Sequence, residues 1–293
     1  MKPILINGFQ RSGTTYLYLQ LYKNFKKVLY EPLCPCLGQI INRILKNIRD
    51  PSFLQSTHWF LQYEDRISLF EPYLKYFDNF LENIFLKYYP GSDQPQLIYD
   101  IKRLRDYYSF FTNFHIKEVY LFFYLNDDFF TKNWDIYLII RYPIDNFISI
   151  VKNFFRRKSF KLYNILRKIT IYSKYLTNFY LEFFKIDPFG IITLAKDINP
   201  RFGPKPNNLW DIEEAFIYVW TIANYQAVKS VPKDNIIIYE KPETYKRLPF
   251  ELKDPLRIKI YPKAREILYY EFEKIARRLE IEEEYNYLLK FFD

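Results

Sequence analysis

The chain has 293 residues, 49% of them hydrophobic and 21% aromatic, only 6 glycines, and a formal net charge of +9. A chain of this length buries about 75% of its unfolded surface, and without a Gly/Ser-rich linker, an internal repeat or a low-complexity block a single domain over 1–293 is expected. The excess of cations suits anionic partners (nucleic acid, membrane surfaces or anionic small molecules), although a lysine-rich surface accounts for most of it.

Residues 3–7 (PILIN) read as a short apolar strand, followed by Gly8-Phe9-Gln10-Arg11-Ser12-Gly13-Thr14-Thr15 and an apolar helical run over 16–25. Strand, glycine-bounded loop and helix form the layout in which backbone N–H groups at a helix N-terminus cradle an anion. A triphosphate-binding loop would place lysine at the position of Thr14; here the nearest cation is Arg11. That lysine reaches the β- and γ-phosphates, so its absence argues against ATP. Residues 27–30 (KVLY) read as a second strand ending at Glu31-Pro32, and the proline biases Glu31 toward extended geometry. Cys34 and Cys36, separated only by Pro35, lack the spacing of a zinc site, so free thiols and no metal are expected.

Residues 37–89 read as helical with breaks near Pro51 and Pro72. Residues 96–101 (QLIYDI) read as a third strand, and helical segments fill 104–126. The run 135–140 (DIYLII) is a continuous apolar strand suited to the interior of a parallel sheet. After Pro143, residues Ile144, Phe147, Ile148, Val151, Phe154 and Phe155 form an apolar stripe of helical period. Asp145, Ser149, Lys152 and Arg156 form the opposite stripe, which sets Ser149 off the buried face. Further helices are expected over about 160–185 and 210–230, a strand over 235–239, and an amphipathic helix through Leu268, Phe272, Ile275 and Leu279. Alternating strands and helices indicate an α/β fold. No apolar run approaches the ~18 residues of a membrane span, and the first strand starts too near Met1 for a signal peptide, so a soluble, cytoplasmic protein is expected.

Four segments resemble the sulfotransferases that use 3'-phosphoadenylyl sulfate (PAPS). Gln10-Arg11-Ser12-Gly13-Thr14-Thr15 is close to their 5'-phosphosulfate loop, P-[KR]-S-G-T-T. Arg141-Tyr142-Pro143-Ile144-Asp145-Asn146-Phe147-Ile148-Ser149 matches R-x-P-x-D-x-x-x-S, their 3'-phosphate motif. Tyr30-Glu31-Pro32-Leu33 and Lys102-Arg103-Leu104-Arg105 are similar to segments of the carbohydrate enzymes, and tyrosylprotein sulfotransferases also keep a glutamate near the former. Leu104 stands where the cytosolic enzymes carry their catalytic histidine, and their C-terminal R-K-G motif is not found.

The resemblance implies a three-layer P-loop-like α/β fold with a mostly parallel sheet, with helical inserts at 38–92 and 158–205. It implies binding of PAPS, with PAP as product, by Arg11, Ser12, Gly13, Thr14, Thr15, Arg141 and Ser149. Glu31 would be the general base, Arg11 and Lys102 would stabilise the transition state, and no metal is required. The acceptor would be a hydroxyl on a glycan, lipid or tyrosine, with a glycan favoured by the Glu-Pro-Leu and Lys-Arg-Leu-Arg segments. Arg156 and Arg157 are further candidates near the 3'-phosphate. Two other readings stay open: a nucleotide kinase or NTPase with a degenerate loop, and a non-catalytic basic module binding nucleotides or nucleic acid. His58 and His115 have no motif context and read as structural.

Overall fold

The computed structural model describes residues 2–46, 68–158, 187, 190–202 and 211–293; for 153–158 and 199–202 only the backbone is described. Five strands, β1 (Ile4–Gly8), β2 (Val28–Tyr30), β3 (His115–Glu118), β4 (Asp135–Ile140) and β5 (Ile236–Ile238), form one sheet in the order β2-β3-β1-β4-β5. Every pairing is parallel, with Ile6 beside Lys117 on one side and Tyr137 on the other. Successive residues of a strand face opposite sides. All five residues of β1 and five of the six in β4 are buried, so both faces of the sheet centre are covered. That is the environment in which continuous apolar strands persist.

The helices are α1 (Thr14–Asn24), α2 (Leu37–Leu45), α3 (Glu71–Tyr76), α4 (Ile101–Tyr108), α5 (Asp128–Asn133), α6 (Pro143–Lys158), α7 (Ile191–Phe202), α8 (Ile212–Ser230), α9 (Pro262–Arg278) and α10 (Glu282–Leu289). A π-helical turn, Leu81–Phe85, runs straight into Leu86–Tyr88. Pro72 lies in the first turn of α3, where its missing N–H costs nothing. Asp211 caps α8 by accepting from the Glu214 N–H at 2.8 Å. α8 then packs against α7, α9 and α10. The expected break at Pro51, the helix over 160–185, His58 and the side chains of Arg156 and Arg157 lie outside the described residues.

The third strand is not at 96–101. There the Leu97 and Ile98 N–H groups donate to the Asp197 carboxylate at 2.6 and 3.0 Å, and the Tyr99 N–H to the Tyr124 hydroxyl at 2.6 Å. Asp100 is the N-cap of α4, accepting from the Arg103 N–H at 2.9 Å. Side chains thus satisfy the backbone that a ladder would otherwise use. The strand is β3, within a stretch expected to be helical. A second correction concerns α6: its first turns are buried all round, Ser149 included. The polar stripe faces the entry to α9, where Asp145 accepts from the Tyr261 N–H at 2.9 Å and pairs with Arg265.

No helix among the described residues is long and apolar enough to cross a membrane. Cys34 and Cys36 are buried and unbridged. His115 accepts from the Ile4 N–H at 3.1 Å and stacks on Phe25; burial lowers its pKa to about 4, so it is neutral and structural.

Candidate functional site

The carboxyl ends of all five strands deliver a residue to one cleft of about 310 Å³: Arg11 and Gly13 after β1, Glu31 after β2, Lys117 from β3, Arg141 after β4 and Tyr239 after β5. This is where open α/β sheets place their ligands, and β1 marks the point at which the chain passes from one side of the sheet to the other.

The first wall is the loop after β1. The Ser12 N–H and hydroxyl both donate to the Phe9 carbonyl, closing a tight turn with Arg11 at φ 65°. Ser12 is thereby spent on the loop itself and does not line the cleft. Gly13 has φ 97°, and a Cβ there would lie 2.7 Å from the Tyr239 ring, so both backbone and space call for glycine. No side chain caps α1, which leaves its N-terminus directed at the cleft beside Thr14 and Thr15. The Thr15 hydroxyl lies 3.1 Å from that of Tyr30.

The two longest motifs meet across this loop. Arg141 Nη1 donates to the Arg11 carbonyl at 2.8 Å, and Arg11 Nε donates to Ser149 Oγ at 3.4 Å. Arg141 is almost fully buried. Its Nη2 donates to the Lys259 carbonyl at 2.5 Å, its guanidinium covers the Tyr239 ring at 4.4 Å, and Glu240 lies 3.8 Å from Nε. Burial pushes the Glu240 carboxyl up to about 7, against the lowering effect of Arg141.

The second wall carries Glu31. It has φ 46°, the left-handed region, not the extended geometry expected before proline. The reason is a set of bonds that bend the chain sharply at β2. The Glu31 N–H donates to the Lys117 carbonyl at 2.7 Å and the Cys34 N–H to the Glu31 carbonyl at 2.9 Å. Tyr73, Tyr107 and Tyr89 donate their hydroxyls to the carbonyls of Tyr30, Pro32 and Leu33 at 3.0, 3.0 and 3.1 Å. The buried Glu118 carboxylate accepts from the Leu33 N–H, the Val119 N–H and the Tyr108 hydroxyl at 2.9, 2.7 and 3.0 Å. Burial raises the pKa of all four tyrosines, so they remain donors. The buried Glu31 side chain pairs with the Lys117 ammonium, which also lies 4.4 Å from the centre of the Tyr30 ring. Burial and the nearby Arg11 charge lower the Lys117 pKa, while Glu118 opposes them.

The third wall is an irregular strap, residues 249–261, leading into α9. Gln20 Oε1 accepts from the Lys253 and Asp254 N–H groups at 2.7 and 3.2 Å, the Tyr16 hydroxyl donates to the Asp254 carbonyl at 2.6 Å, and Lys23 pairs with Asp254 at 2.5 Å. Near the cleft the Tyr239 hydroxyl donates to the Arg257 carbonyl at 3.2 Å. Arg257 and Lys259 thereby join the lining.

Of the residues singled out from sequence, Arg11, Gly13, Thr14, Thr15, Glu31, Arg141 and Ser149 line this one cleft. Lys102 does not: it is exposed on the first turn of α4. The cation beside Glu31 is Lys117, which sequence reasoning missed together with Tyr239, Arg257 and Lys259. A signal for Lys117 exists, because Lys117-Glu118 interrupts the otherwise apolar stretch 116–125. Among the described residues the lining carries Arg11, Lys117, Arg141, Arg257 and Lys259 against the carboxylate of Glu31. Such a cleft can hold an anion with several charged groups and, at Glu31, accept a proton. Among the described residues no group of three or more His, Cys, Asp or Glu side chains is arranged to hold a metal ion. No protein-family profile, curated protein or solved structure matches the chain.

Proposed function

We propose that this P-loop-like protein is a sulfotransferase that moves a sulfuryl group from PAPS to an acceptor hydroxyl. The observation that carries the reading is the convergence of an uncapped helix N-terminus, five cations and one buried carboxylate at the carboxyl ends of the strands. The 5'-phosphosulfate would lie at the start of α1, against the backbone N–H groups and the Thr14 and Thr15 hydroxyls. Ser149, Arg141, Arg257 and Lys259 are the partners available to a 3'-phosphate. Arg11 and Lys117, the latter in place of Lys102, would stabilise charge growing on the sulfuryl and bridging oxygens. Glu31 would take the proton of the acceptor hydroxyl.

Thermal shifts with PAP, 5'-AMP and ATP–Mg²⁺ at matched concentrations test the donor. PAP at ~100 times its Kd should add about 2.7 kcal/mol of stability, 5'-AMP less. A shift with ATP–Mg²⁺ alone would move the protein to the kinase reading, and no shift with any would remove the nucleotide altogether. With an acceptor found, Glu31→Gln should not weaken PAP binding and should lower turnover by ~10²–10⁴-fold; wild-type turnover would end the role of Glu31 as base.

A further inference from the structure

Glu31 and Lys117 are tied together twice. The Glu31 N–H donates to the Lys117 carbonyl, and the Lys117 ammonium donates to the Glu31 carboxylate. The backbone bond extends the pairing of β2 with β3, which puts Tyr30 beside Lys117. The side-chain bond is made by an ammonium at the end of a four-carbon stem, with the Tyr30 ring 4.4 Å away. Both side chains line the cleft that Arg11 and the α1 N-terminus also line.

A base held by an ammonium group is a poor base, and an ammonium group held by a carboxylate is a weak anion ligand. A buried ion pair resists losing one partner, since the other charge is then left uncompensated. Replacing one anion by another avoids that cost for the cation. Lys117 is the group suited to such an exchange: it is buried, adjacent to the Arg11 charge, and within reach of the cleft.

We propose that Glu31 and the anionic donor compete for Lys117, so that donor binding draws the ammonium onto a phosphosulfate oxygen and releases the Glu31 carboxylate to act as base. This deepens the sulfuryl-transfer reading and rests on it. The acceptor oxygen then bonds to sulfur while its proton passes to Glu31. The bond from sulfur to the bridging oxygen breaks, and its electron pair leaves on the 5'-phosphate, beside Lys117. The order of binding follows: the donor enters first, because Lys117 holds the Glu31 carboxylate until the donor draws the ammonium away. A site armed in this way takes no proton from a hydroxyl when no sulfuryl group is present to receive the oxygen.

Titration calorimetry with PAP on wild type, Glu31→Gln, Lys117→Met and the double variant tests the competition. Removing the competitor should tighten PAP by about tenfold in E31Q, removing the shared cation should weaken it by about tenfold or more, and E31Q should bring no gain in the K117M background. PAP affinity in E31Q equal to or below wild type would overturn the competition while leaving the nucleotide site in place. A gain that persists in full without Lys117 would reduce it to plain charge repulsion and overturn it as well. Failure of wild type to bind PAP would remove the donor reading and this inference together. K117M strands a buried carboxylate, so its folding is checked by circular dichroism. A crystal structure of wild type with PAP gives an independent answer: Lys117 Nζ bonded to a phosphate oxygen supports the exchange, and Nζ still on Glu31 refutes it.

Discussion

Two walls of the cleft are built in opposite ways. The Glu31 loop is buried, and its backbone is held by tyrosine hydroxyls and the Glu118 carboxylate. The strap at 249–261 is largely exposed, and polar side chains of α1 hold it. Bonds shielded from water are costly to lose, whereas exposed ion pairs contribute little. The wall that carries the proposed base is therefore fixed, and the wall that carries Arg257 and Lys259 is adjustable.

The largest effect should come from breaking the fixed wall. Glu118→Ala leaves two buried N–H groups and the Tyr108 hydroxyl without their acceptor, and a loss of about 3 kcal/mol is expected in urea unfolding. A loss near zero would mean that the loop keeps its shape without that carboxylate. Next is Gly13→Ala, which forces a Cβ against Tyr239 at a positive φ. A cost of about 2 kcal/mol is expected, together with weaker PAP binding, because Tyr239 also carries the strap through Arg257 and Lys259.

Glu240 sharpens the contrast through pH. Burial pushes its carboxyl up to about 7 in the folded protein, from an ordinary value of about 4.5. Between those values the folded state binds more protons than the unfolded one, so this group makes stability fall as pH rises from about 4.5 to 7. Glu240→Gln should gain stability relative to wild type across that window, on the order of 1–2 kcal/mol, measured by denaturant unfolding at several pH values. A constant difference would show that the group does not titrate there. The smallest change should be Gln20→Ala, which takes the acceptor from two part-buried strap N–H groups at a cost of about 1 kcal/mol. Its mark should instead be a measurable loss of PAP affinity with the sheet intact; unchanged affinity would mean that the strap positions no ligand.

The sheet was legible wherever burial on both faces produced an unbroken apolar run, as in β1, β4 and β5. The α1 loop was legible because the turn into α1 needs glycine at Gly13, where φ is positive and Tyr239 approaches closely. β3 was not, because Lys117 and Glu118 broke its pattern. Those charges are buried because each has a partner brought from far along the chain: Glu31, 86 residues away, and the Leu33 N–H, 85 residues away. The apolar 96–101 segment misled for the converse reason, since its backbone partner is Asp197, about 100 residues distant. The same limit explains Lys102 and Lys117. The resemblance pointed to Lys102, after an apolar run, but only the pairing of β2 with β3 decides which lysine meets Glu31.

The strap also has a consequence for how the molecule comes into being. Its bond from Gln20 to Asp254 spans 234 residues, so the loop after β1 is synthesised long before its opposing wall. Contacts of such separation close late, because the entropy of a long loop must be overcome first. A nascent chain can form the β1–α1 unit early, yet its five cations come together only after Lys259 has been added. Under the proposed function, a β1–α1 unit without residues 257–259 would lack part of the cationic lining that the donor needs.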